Sequence, residues 1–105
     1  MIIRAKTFKD WMKSNFKKSE MRDIKDHGVD GGFPGLTYYC DTSKLYDKFH
    51  KEIWDALFED SEDLGYKNIF SFIASFNRNE ASNDVQFKNL LVWYLAEKIA
   101  REEIG

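Results

Sequence analysis

The sequence predicts an all-α fold: a compact single domain, residues 1–105, of about five helices around a buried C-terminal helix, with an ordered irregular loop at 29–41. Three observations lead to this prediction. Apolar residues recur at helical spacing in several segments. The run Leu90–Ala96 is apolar on every side, which is typical of a central helix. The only proline and four of the six glycines lie between residues 28 and 35, so the helix breakers are confined to one stretch.

The first helix is predicted to begin after Thr7. Thr7 and Asp10 have the spacing of a capping box, in which a side-chain oxygen accepts a hydrogen bond from a free backbone N–H at the helix start. The apolar positions that follow are Phe8, Trp11, Met12 and Phe16.

A second short helix is predicted to begin at Ser19 and Glu20, because serine caps helices and an acid favours the first turn. Its apolar positions are Met21 and Ile24. Gly28 is predicted to end it, since glycine is the preferred residue just after a helix.

The third helix is the longest of the first four, capped by Asp41 or Thr42 and ended by Gly65. Its apolar residues recur every fourth position, which predicts one buried stripe. The stripe comprises Leu45, Phe49, Ile53 and Leu57, widened by Tyr46, Trp54 and Phe58.

The fourth helix is predicted from the i, i+3, i+4, i+7 pattern of Ile69, Phe72, Ile73 and Phe76. A strand fits this segment less well, because its two serines are four residues apart and do not alternate with apolar residues. A polar loop, 77–83, follows.

The last helix is predicted to start at a cap formed by Asn83 and Gln86 and to run towards Glu103. Lys98 and Arg101 suit the negative C-terminal end of a helix, whereas Glu102 and Glu103 oppose it. We therefore expect the last turn to fray.

Charge is distributed unevenly along the chain. Residues 1–28 hold eight lysines and arginines against four acids, whereas residues 41–65 hold eight acids against three lysines. The net charge is only −2, which argues against a protein that is basic overall or that imitates the charge of DNA. A single cysteine excludes an internal disulfide and, with no signal-peptide pattern and no apolar run long enough to cross a membrane, predicts a cytoplasmic protein.

No metal, cofactor or catalytic site is predicted. His27, Cys40, Asp41 and His50 are the candidates for zinc, but they lack the paired short spacings of structural zinc sites. Cys40 with either histidine lacks a nucleophile motif and is more typical of a small buried residue. We therefore expect a protein that is not an enzyme.

Two surfaces are candidates for binding a partner. The first is the loop GFPGLTYYCDT, whose Tyr38 and Tyr39 either pack in the core of this protein or are exposed and contact another protein. The second is an acidic set near the end of the third helix, for which the plainer interpretation is a solvated helix face. The acidic set comprises Glu59, Asp60, Glu62 and Asp63.

An alternative candidate is a nucleic-acid interface on the basic N-terminal segment. Lysines alternate there with aromatic residues, a combination that contacts phosphates and stacks on bases. The same aromatic residues also fit the core face of a helix. The lysines concerned are Lys6, Lys9, Lys13, Lys17 and Lys18.

The segments GFPGLTYYCDT, YDKFHKEIWDALFEDSEDLGY, FIASFN and FKNLLVWYLAEKIARE resemble a family of small uncharacterised proteins encoded mainly in phage and prophage genomes. The resemblance extends from Thr7 to Glu103 and supplies no activity and no site residues. It implies a small cytoplasmic accessory protein of a phage. Such proteins often bind and inhibit a host factor, including restriction or CRISPR machinery.

These observations together predict a non-enzymatic module that binds a host protein or protein complex, as an anti-CRISPR or other anti-defence inhibitor does. Nucleic acid is the less favoured partner, and no membrane partner is expected. The oligomeric state is left open.

Overall fold

The computed structural model describes residues 4–27, 42–76 and 84–105. In these three stretches the chain forms five helices and no strand, which confirms the all-α prediction. The helices are α1 (Phe8–Asn15), α2 (Lys18–His27), α3 (Thr42–Asp63), α4 (Ile69–Phe76) and α5 (Asp84–Ile104).

Helix α1 begins at the predicted cap. The Thr7 hydroxyl oxygen accepts a hydrogen bond from the Asp10 backbone N–H at 3.1 Å. A second free donor of the first turn, the Phe8 N–H, donates to the Glu52 carboxylate of α3 at 3.1 Å. One N-terminal N–H of α1 is therefore satisfied by a local side chain and another by a distant one.

Helix α2 begins earlier than predicted from Ser19. The Lys17 carbonyl accepts the first helical hydrogen bond, from the Met21 N–H at 2.9 Å. The Glu20 carboxylate in turn accepts from the Lys17 N–H at 2.9 Å. Lys17 therefore occupies the capping position, and Glu20 closes the turn as the acid of a capping box does.

Helix α3 contains one non-helical residue and ends as predicted. Phe49 has φ −114° and ψ 16°, so the helix is kinked there, and the neighbouring His50 ring donates to the Asp47 carbonyl at 3.0 Å. At the other end, Gly65 has a positive φ of 77°. Its N–H bonds the Glu62 carbonyl and the Tyr66 N–H bonds the Ser61 carbonyl, both at 3.0 Å, which is the Schellman arrangement that ends many helices.

Helix α4 lies in the segment whose apolar spacing predicts a helix and not a strand. The Asn68 side chain accepts from the Ser71 N–H at 2.9 Å and so caps its start. Phe72 and Ile73 are buried, while Ile69 and Phe76 pack against the core from its edge.

Helix α5 is the central element, as predicted. It packs against α3, α2 and α1. Its inward side chains form the middle of one continuous core, whose members on this helix are Leu90, Leu91, Val92, Leu95, Ala96, Ile99 and Ala100. The radius of gyration is 13.2 Å, close to the value of about 13 Å expected for a compact domain of this length.

The last turn of α5, where we expect fraying, makes a contact with α1. The helix continues to Ile104, and the Glu103 carboxylate pairs with the Lys9 ammonium of α1 at 2.9 Å. A tertiary ion pair therefore compensates for an acid at the negative end of the helix.

The predicted core stripe of α3 is narrower than expected. Leu45, Phe49, Ile53 and Leu57 are buried, and Tyr46 and Trp54 lie at the edge of the core. Phe58, which was predicted to widen the stripe, is 57% exposed. The core surrounds only one side of α3, and Phe58 lies outside that side.

Candidate functional site

Exposed hydrophobic side chains concentrate where α3 turns into α4. In the part of the chain that the structure describes, five large hydrophobic residues are exposed, and four of them lie between residues 58 and 70. Three of the four, Phe58, Leu64 and Phe70, are 57%, 66% and 74% exposed. Single exposed hydrophobics are common, but a local concentration marks a candidate binding surface.

The exposure of these residues follows from their positions in the two helices. Phe58 follows the fully buried Leu57, so a rotation of about 100° per residue turns it away from the core. Its ring lies 6.2 Å from the ring of Trp54, one turn earlier. Leu64 stands at the end of α3, beside the turn that Gly65 makes. Phe70 is the second residue of α4 and lies outside its apolar pattern.

Three acids accompany these hydrophobics. Glu59, Glu62 and Asp63 are exposed and belong to the last two turns of α3. The last turn of α3 contains no basic residue, so the acids add to the negative end of the helix. Acids at a helix C-terminus are unfavourable to the helix itself, so helix stability does not account for them. We call the set Phe58, Glu59, Glu62, Asp63, Leu64 and Phe70 the acidic apolar corner.

The fourth acid of the predicted set, Asp60, faces the interior. Its carboxylate accepts a hydrogen bond from the Lys98 ammonium at 2.7 Å and another from the Tyr94 hydroxyl, both on α5. Only 20% of its side chain is exposed. Asp60 therefore joins α3 to α5, whereas its three acidic neighbours in the corner face solvent.

Tyr94 is the most strongly perturbed group of this network. Burial raises the pKa of its hydroxyl, and the hydrogen bond to Asp60 raises that pKa further, because a nearby carboxylate disfavours a phenolate. The Tyr94 ring also stacks on Phe76 at 4.8 Å and meets the edge of Phe72 at 5.6 Å. These contacts therefore link α3, α4 and α5.

The tyrosines of the first candidate surface, Tyr38 and Tyr39, lie outside the described residues, as do Cys40 and Asp41. Whether the two tyrosines contact a partner stays a prediction.

The basic segment keeps its charges at the surface but not its aromatic rings. Lys6, Lys13, Lys17 and Lys18 are exposed, and Lys9 is half-exposed in its pair with Glu103. The rings of Phe8, Trp11 and Phe16 are buried. They pack on one another and on Phe49, with centroids 5.3–5.7 Å apart. These rings belong to the core, so they offer no platform on which bases could stack.

Of the metal and catalytic candidates, only the His50 side chain lies within the part of the chain that the structure describes. No group of three or more metal-ligating side chains is found in that part of the chain. His50 is exposed, its Nδ1 bonds the Asp47 carbonyl, and its ring lies 6.2 Å from that of Tyr46.

Two further features of the corner and its surroundings were not predicted from the sequence. Leu64 and Phe70 were not singled out, although Phe70 breaks the i, i+3, i+4, i+7 pattern of α4 and could have been found by that signal. The inward orientation of Asp60 has no local signal, because its partners are 34 and 38 residues away.

No helix in the described part of the chain is both long and apolar enough to cross a membrane.

Comparison with known proteins gives a family without an assigned activity. A family model described as a domain of unknown function (DUF7222) matches residues 2–104, nearly the whole chain. No curated protein and no solved structure matches.

Proposed function

The chain belongs to this family of unknown function, DUF7222, and we propose that it is a non-enzymatic protein-binding module that uses the acidic apolar corner. The observation that carries the proposal is the concentration of exposed Phe58, Leu64 and Phe70 within 13 residues, whereas most of the other large hydrophobics among the described residues are buried.

The energetic argument concerns the phenylalanines. An exposed aromatic ring costs free energy in water, and burial against a partner recovers about 25 cal/mol per Å² of apolar surface. Aromatic residues at the centre of an interface commonly supply most of its binding energy. Phe58 and Phe70 lie on two different helices that are joined by a short turn, residues 64–68.

The biological context of the proposal is an accessory protein encoded by a phage or prophage. In that context the bound protein is a host factor, and binding inhibits it, as an anti-CRISPR or other anti-defence inhibitor does. The proposal places the protein in the bacterial cytoplasm. The resemblance of the sequence to phage-encoded proteins supports this context.

The test is capture of a partner from lysate of the bacterium that carries the gene. We expect the tagged wild-type protein to retain a specific partner that the Phe58→Ser, Phe70→Ser double variant loses. Val85→Ser is the matched control, because Val85 is 58% exposed but lies on α5, outside the corner. Equal capture by all three proteins would refute the corner as the binding surface.

A further variant addresses the loop tyrosines. If Tyr38 and Tyr39 contribute to the same interface, Tyr38→Ala with Tyr39→Ala weakens capture as the double phenylalanine variant does. Unchanged capture would remove the tyrosines from the proposal and leave the corner alone.

Nucleic-acid binding is the second candidate, and the exposed lysines of the basic segment are the observation that favours it. With Phe8, Trp11 and Phe16 in the core, only phosphate contacts are left, and these weaken steeply with salt. A gel-shift titration at low salt with single- and double-stranded DNA tests it. Binding that Lys13→Gln, Lys17→Gln and Lys18→Gln together abolish would support this candidate, and no shift would exclude it.

A further inference from the structure

We propose that the occupant of the acidic apolar corner is a lysine- and arginine-rich segment of a partner protein that carries apolar anchors, that is, a basic amphipathic segment. This inference rests on the proposed function and specifies the chemistry of the partner.

Charge complementarity is the first argument. Glu59, Glu62 and Asp63 are exposed together at the end of α3, where the helix dipole adds negative potential and the last turn offers no basic residue. A positively charged partner lowers the energy of all three carboxylates together. Such complementarity steers association and selects the partner.

Apolar burial is the second argument. A partner that carried only positive charge would leave Phe58, Leu64 and Phe70 exposed, and exposed ion pairs contribute only about 0.2–1 kcal/mol each. Apolar anchors that cover the two phenylalanines supply the larger share of the affinity. The chemistry of the corner therefore calls for both properties in one segment.

The same charges disfavour other occupants. In a symmetric dimer through the corner, the three acids of one copy would face the three acids of the other, because the same patch serves both copies. Nucleic acid and anionic lipid surfaces carry negative charge, and the corner repels them for the same reason.

The experiment measures binding of synthetic peptides to the purified full chain by fluorescence anisotropy. The probe is a labelled peptide with leucine at i, i+3, i+4 and i+7 and lysine elsewhere. Two control peptides keep the pattern, one with glutamate for lysine and one with serine for leucine. We expect the leucine–lysine peptide to bind and each control peptide to bind at least about tenfold more weakly, a difference of about 1.4 kcal/mol.

The protein variants locate the binding. The Phe58→Ser, Phe70→Ser double variant is expected to bind the leucine–lysine peptide at least about tenfold more weakly than the wild type does. Val85→Ser is expected to bind the peptide with unchanged affinity. Neutralising the three acids of the corner is expected to weaken binding about tenfold at low salt and to flatten its salt dependence. The neutralised triple variant is Glu59→Gln, Glu62→Gln, Asp63→Asn.

A second triple variant controls for net charge. It removes three exposed acids elsewhere, and we expect its affinity to stay within twofold of the wild type. Its substitutions are Asp23→Asn, Asp47→Asn and Glu102→Gln. Circular dichroism spectra and denaturation midpoints establish that every variant is folded.

Equal binding of the leucine–lysine and leucine–glutamate peptides, or equal affinities of the two triple variants, would overturn the inference. A wild-type dimer in sedimentation velocity that Phe58→Ser with Phe70→Ser dissociates would also overturn it, since a second copy would then occupy the corner. A lysate partner that depends on Phe58 and Phe70 but not on the acids would refute the basic segment and leave the proposed function standing. Capture that is independent of Phe58 and Phe70 would refute the proposed function itself.

Discussion

Glu59 and Asp60 are adjacent acids with opposite roles. Glu59 is exposed, whereas Asp60 accepts hydrogen bonds from Lys98 and Tyr94 on α5. A rotation of about 100° per residue is enough to turn one carboxylate to solvent and its neighbour to another helix. A run of acids in a sequence therefore does not by itself define one surface.

Tyr94 provides a prediction at the scale of the residue. Because its pKa is raised in the folded state above its ordinary value of 10.0, the hydroxyl stabilises the fold fully below pH 10. This contribution is lost as the pH rises above 10 towards the folded-state pKa, since the unfolded chain then releases the proton more readily.

We expect Tyr94→Phe to lower the free energy of unfolding by about 1–2 kcal/mol at neutral pH, through loss of the hydrogen bond to Asp60. It is also expected to remove part of the alkaline loss of stability. Denaturant unfolding of wild type and variant from pH 7 to pH 11 measures both effects, with the exposed Tyr66→Phe as control. Parallel alkaline decline in wild type and Tyr94→Phe would contradict the assignment.

At the scale of the element, the end of α3 presents the corner. The helix ends at Asp63, the Schellman turn at Gly65 follows it, and α4 begins at Ile69. Phe58 and Phe70 therefore lie on the two helices that this turn joins.

Gly65→Ala tests this turn. A Cβ added at Gly65 has nothing within 4 Å, so the whole cost is the positive φ of 77°. We expect the free energy of unfolding to fall by about 1 kcal/mol, and Gly65→Asn to cost less, because asparagine tolerates this conformation better. Chemical denaturation measures the change. The control is Lys67→Ala at an exposed position, whose free energy of unfolding is expected to stay within about 0.5 kcal/mol of that of the wild type. A loss for Gly65→Ala no larger than that for Lys67→Ala would show that the turn is not strained by a side chain.

At the scale of the whole molecule, α5 is the central helix, against which α3, α2 and α1 pack. It contributes more of the described core residues than any other helix. Tertiary links reinforce this arrangement at its edges: Lys9 with Glu103 ties α1 to α5, and Lys88 lies 5.3 Å over the ring of Tyr46. Loss of α5 packing therefore affects every helix that it contacts.

Leu91→Ala tests this dependence. Leu91 is fully buried in α5, so its truncation leaves a cavity, and we expect a loss of about 2–5 kcal/mol. Unfolding is expected to stay cooperative, with coincident far- and near-ultraviolet circular dichroism transitions. Val85 lies on the same helix but is exposed, so the free energy of unfolding of Val85→Ala is expected to stay within about 0.5 kcal/mol of that of the wild type. Separate transitions for the two signals in Leu91→Ala would show that the helices do not unfold as one unit.

The sequence by itself determined the helices and most of the core. Thr7 begins α1, Gly65 ends α3, and the apolar spacing of α4 and the all-round apolar run of α5 were sufficient, because caps and periodicity act through neighbours a few residues away. The tertiary structure alone decided the rest. It buried Phe8, Trp11 and Phe16, so that they are not available to bases, turned Asp60 inward, and left Phe58 exposed. These outcomes depend on which helix covers which face of another helix. Contacts between residues that are tens of positions apart in the sequence determine that packing.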